Sequence, residues 1–110
     1  MTAEAAVDIQ ARMAVDRRAV AEAAGKIREA TPLYGEVAAA DPLPAQPPEL
    51  KALFLRAESA HRMLRDARIL YLDAKAASDD PSILDRRISQ IDSLLAALAK
   101  RMAQMEAALR

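Results

Sequence analysis

Residues 82–110, SILDRRISQIDSLLAALAKRMAQMEAALR, decide the fold. Leu84, Ile88, Ile91, Leu95, Leu98, Met102, Met105 and Leu109 follow one another at alternating steps of four and three. That spacing places every one of them on a single stripe of an α-helix, the a/d seam of a coiled coil. The cations Arg86, Arg87, Lys100 and Arg101 fall off the stripe. A covered seam residue gains about 1.5–2 kcal/mol by leaving water. A lone helix cannot realise that gain, so the segment must pack against another helix.

Working back from it, Ser78-Asp-Asp-Pro81 ends the preceding element. Asp80 can accept from the first free N–H groups of the next helix, with Pro81 at the first helical position. Ser82 with Asp85 is the alternative cap. So short a connection makes its two helices antiparallel neighbours. The preceding stretch opens at Pro48-Glu49 and repeats apolar residues by sevens, with Leu50, Ala57, Leu64 and Tyr71 on one position and Leu53, Ala60, Ala67 and Ala74 on the other. Leu55, Ile69 and Leu72 lie off this seam. A helix apolar on more than one side is expected to be sandwiched between neighbours. Tyr71 is expected at the core edge with its hydroxyl in water.

Residues 41–48, Asp-Pro-Leu-Pro-Ala-Gln-Pro-Pro, form a linker whose prolines favour an extended polyproline II path. It lacks the N-terminal basic residues of a proline-motif ligand, which leaves a helix connection as the simpler role. Residues 1–40 form an N-terminal helix. Ala6, Met13, Val20, Ile27 and Tyr34 recur by sevens, with Ile9, Asp16, Ala23, Ala30 and Val37 three later. Asp16 interrupts the seam and the alanines thin it. Gly25 costs about 1 kcal/mol in a helix interior. Thr31-Pro32 reads as an N-cap and first-turn proline, which predicts a kink or a fresh short helix over 32–40.

The composition agrees. Of 110 residues 27 are Ala, only 2 are Gly, and none is Cys or Trp. Long helices follow, and disulfides, thiolate metal sites and cysteine nucleophiles are excluded. The formal charge is zero, which gives no global field for nucleic acid or anionic membranes. The longest uncharged runs, such as Ser93 to Ala99, fall far short of the ~20 residues of a spanning helix. The beginning of the chain shows no basic leader region, and a cytoplasmic location is expected. The fold class expected is all-α: an elongated antiparallel helical hairpin over 49–110, joined by helix 1 into a three-helix bundle with coiled-coil packing, all one domain. Repeat modules of the spectrin type are similar in length and helix count. Their tryptophan is missing here, and the likeness is one of shape.

The chemical inventory is sparse. Two glycines cannot build a phosphate-binding loop, and no nucleophile elbow is present. Asp79, Asp80 and Asp85 are explained as helix-start acids. Glu58 and His61 have the E-x-x-H spacing that resembles the metal motif of ferritin-like bundles, and Glu22, Glu29 and Glu36 repeat by sevens. Glu58 falls at an outward heptad position, so a solvated histidine is the simpler account. Arg56, Arg62, Arg65 and Arg68 form a basic strip that could follow phosphates. No aromatic side chain interleaves with it and no groove-reading motif accompanies it. The expected function is therefore non-enzymatic: a self-associating helical interaction, scaffold or adaptor module. No catalytic residue, cofactor or metal is assigned. Leu55, Arg62, Arg65, Arg68, Ile69 and Leu72 are the candidate partner-binding residues, with the chain itself or another helical protein as partner. Nucleic-acid or anionic-surface binding through the strip is the alternative, and a ferritin-like metal bundle the lesser one.

Overall fold

A computed structural model describes residues 3–78 and 80–110, with side-chain surroundings from Arg17 onward, Asp79 excepted. The described residues form three helices, α1 (Ala3–Ala39), α2 (Pro47–Ala77) and α3 (Ser82–Leu109), in a rod 66 Å long and 20 Å across. The seam side chains Ala6, Ile9, Met13 and Asp16, and the helix-start acid Asp79, lie outside the described surroundings.

Ion pairs mark the registers. Lys26 pairs with Asp66 (3.8 Å), and Glu36 with Arg56 (3.2 Å). Ten residues forward on α1 thus match ten residues back on α2, so the two run antiparallel. Arg68 pairs with Asp92 and Lys75 with Asp85, seven residues apart on each helix, so α2 and α3 are antiparallel too. These pairs are half exposed and each adds about 1 kcal/mol or less. They report the register; apolar burial sets it.

All eight seam residues of α2 are buried, and α2 is the central helix, carrying α1 and α3. On α3, Leu84, Ile88, Ile91, Leu98 and Met105 are buried and Leu95 and Met102 half-buried, but Leu109, the last residue of the expected seam, is exposed. On α1 the thin half of the heptad goes inward: Ala23, Ala30 and Val37 are sealed off from water. The bulkier Val20, Ile27 and Tyr34 are only half-buried.

Several sequence expectations need correction. α1 runs through Pro32 as one helix, without a fresh start. Thr31 does not cap: its hydroxyl donates back to the Ile27 carbonyl at 2.7 Å. One missing N–H at Pro32 is tolerated because Tyr34 and Val37, beyond it, continue the same packed face. Helix α2 begins a residue earlier than read, with Leu50 N–H donating to the Gln46 carbonyl. Its Leu55, Ile69 and Leu72 face is not sandwiched, since both neighbours sit on the a/d side. Tyr71 is buried at 3% exposure, with the Arg87 guanidinium 5.8 Å from its ring centre. The linker carries a cis Asp41–Pro42 bond.

Side-chain hydrogen bonds meet the chain at two helix ends, the start of α3 and the end of α1. The Asp80 carboxylate accepts from the Ser82 N–H (3.2 Å) and the Ser82 hydroxyl (2.7 Å), as the sequence suggests, but the N-cap position of α3 falls on Pro81, one residue later than read. These bonds, the hydroxyl's first, hold its pKa below the ordinary 3.8. A carboxyl shifted down stabilises the fold above its ordinary pKa, and that contribution disappears as the pH falls through the folded value. The melting-temperature gap between wild type and Asp80→Ala is therefore expected to narrow between pH 7 and pH 3. An equal gap at both would refute the assignment.

No basic residue lies in the last turn of α1; α3 supplies one. Arg101 donates to the Ala40 carbonyl (2.9 Å) and the Ala38 carbonyl (3.4 Å), placing a cation at the negative end of α1. Arg101→Ala is expected to lower unfolding stability by about 1 kcal/mol, and Arg101→Lys to recover part of it. Urea denaturation reads both. An unchanged midpoint for the alanine variant would remove the cap from the account.

Candidate interaction surfaces

Among the described residues two apolar surfaces remain open. The first is the outward face of α2. Leu55 and Ile69 are each 54% exposed and Leu72 38%, and the exposed Arg62 and Arg65 stand between them. Heptad logic explains the grouping. Positions 55, 62 and 69 repeat by seven opposite the buried seam, and 65 and 72 flank them. Five of the six candidate residues therefore share one exposed face. Arg68 does not join them fully, because it is half-buried and its Nε donates to the Asp92 carboxylate at 2.6 Å. Arg56 is likewise paired, with Glu36. Only Arg62 and Arg65 of the basic strip are left without a partner among the described residues, which shortens the strip that could follow phosphates.

The second surface was not foreseen from the sequence. α1 and α3 both lie on α2 but barely touch each other, and a groove runs between them. Its α1 wall follows positions 17, 20, 24, 27, 31, 34 and 38, one continuous helical stripe. Its α3 wall follows Leu84, Arg87, Leu94, Ala97 and Arg101, and Leu64 and Ala74 of α2 form the floor. The groove is narrow in the middle, where the depression beside Leu64 holds about 120 Å³. It widens to about 480 Å³ between Arg17 and Arg87. Arg17, Arg87 and Arg101 are the charged residues lining these three depressions, and no Asp or Glu joins them among the described residues. The sequence signal was present, since Val20, Ile27 and Tyr34 carry more bulk than the alanines three residues on. Periodicity alone could not say which half faced a neighbour.

The chain matches no protein-family model, and no curated protein or solved structure shows detectable similarity to it.

The remaining candidates form no three-ligand metal cluster among the described residues. Glu58 is exposed and His61 half-buried on α2, and Glu36 is engaged by Arg56. No described helix is long and apolar enough to cross a membrane.

Proposed function

We propose that this chain is a non-enzymatic helical interaction module that works by lending apolar helix surfaces to further helices, its own copies included. The open groove between α1 and α3 carries the proposal. It leaves Val20, Ile27, Tyr34 and Leu94 half-buried where a packed bundle would cover them. The outward Leu55, Ile69 and Leu72 face of α2 adds a second apolar surface of the kind a scaffold uses. The arginines around both surfaces favour an acidic helical partner over a neutral one. A cytoplasmic location suits this role.

Sedimentation velocity from micromolar to millimolar concentration tests the proposal. Wild type is expected to exceed monomer mass. Glutamates in the groove (Ala21→Glu with Ala24→Glu) or on the α2 face (Leu55→Glu with Ile69→Glu) are expected to reduce that mass without loss of helical circular dichroism. A wild type whose mass ignores both pairs of substitutions would defeat it.

A further inference from the structure

The registers leave α1 with an overhang. Extending the Lys26–Asp66 and Glu36–Arg56 alignment, the last residue of α2, Ala77, comes level with position 15 of α1. α1 begins at Ala3, so its first 12 residues, about 18 Å of helix, run on past the α2–α3 turn. The wide part of the groove opens beside this end, between Arg17 and Arg87.

We infer that the overhang of one copy lies in the wide groove of a second copy, and reciprocally, forming a two-fold dimer joined through the two α1 helices. The inference rests on the interaction reading above and names the partner and the surface. Three observations select a second copy. The overhang sequence is amphipathic, with Ala6, Ile9 and Met13 continuing the α1 heptad. Over residues 3–14 it carries Glu4 and Asp8 against Arg12, whereas the charged residues lining the wide part of the groove, among the described residues, are Arg17 and Arg87. Its length also fits. Laid antiparallel with position 14 level with Arg17 of the other copy, it brings position 3 level with Arg28, which is exposed and shares a helix face with Ala24 and Thr31. The same alignment applied from the other copy is identical, so the contact closes as a pair and does not propagate.

The small Ala21 and Ala24 on the groove wall let a fourth helix approach closely, and that helix would cover Val20 and Leu84. In a two-fold arrangement the wide ends of both grooves are filled at once.

The test uses the full chain, which contains no cysteine. Ile9→Cys with Ala21→Cys places two thiols about 18 Å apart on one helix, too far to join within a copy. Mild oxidation is expected to give a covalent dimer for this double variant and for neither single variant. In parallel, Ile9→Glu with Met13→Glu is expected to weaken self-association at least tenfold by sedimentation, and added salt to weaken the wild type as well. If the double variant stays monomeric on oxidation, or the single variants cross-link equally well, the overhang does not occupy the groove. If Ala21→Glu with Ala24→Glu dissociates the assembly but Ile9→Glu with Met13→Glu does not, the groove holds another helix. That result overturns this inference and leaves the interaction reading standing.

Discussion

Leu64→Ala is expected to destabilise the fold by about 2–5 kcal/mol, the range for deleting three carbons from a packed site. Leu64 is 1% exposed at the middle of α2, on the floor between Ile27 of α1 and Leu94 of α3. There the central helix faces both neighbours at once, so its loss weakens two interfaces together. The depression of about 120 Å³ already beside it shows that the surrounding helices do not close further here, and truncation enlarges the gap. Thermal unfolding should fall by roughly 10 °C or more for a chain of this size. Leu55→Ala, the same change on the same helix at a site 54% exposed, is expected to stay within about 0.5 kcal/mol. Similar losses for the two would mean that α2 does not present its a/d face to both neighbours.

That contrast marks how far the sequence could be read. The four-three spacing from Leu84 to Leu109 and the sevenfold repeat from Leu50 to Ala74 are local patterns, and local patterns survive in one dimension. They place α2 and α3 antiparallel with their seams together, which the fold bears out. Leu55, Ile69 and Leu72 were legible for the same reason as apolar residues off the seam, but the spacing predicts a neighbour covering them and not the exposure they have. What stayed hidden depends on distances between helices. Pro32 carries a stop signal, but a helix held by packing on both sides of one lost hydrogen bond does not obey it. The fate of Arg68 turns on Asp92, 24 residues away, and so on the α2–α3 register. The groove depends on α1 and α3 leaving a gap above α2, which no periodicity encodes.

The closeness of α1 to α2 leads to the second large effect. The buried face of α1 is built from Ala19, Ala23, Ala30 and Val37, and α2 contributes Ala57, Ala60, Ala67 and Ala74 to its own buried seam. Side chains this small let two helix backbones approach more nearly than leucine seams allow, and the stability then comes from dense contact. The arrangement has no spare volume, so Ala60→Leu is expected to destabilise by about 1–3 kcal/mol although it adds apolar surface and improves no polar contact. Ala60 is fully buried, and the three added carbons must push a neighbouring helix outward. Ala76→Leu places the same group at an exposed position of the same helix and is expected to change stability by less than about 0.5 kcal/mol. Urea midpoints separate the two, and amide exchange locates the damage. In the Ala60 variant the amides of α1 from Ala23 to Val37 should lose protection first, because α1 has scarcely any hold on α3 to retain it. A neutral or stabilising Ala60→Leu would mean that α1 and α2 keep room between them, and the alanine-rich seam would then be a by-product of composition and not the reason these helices pair.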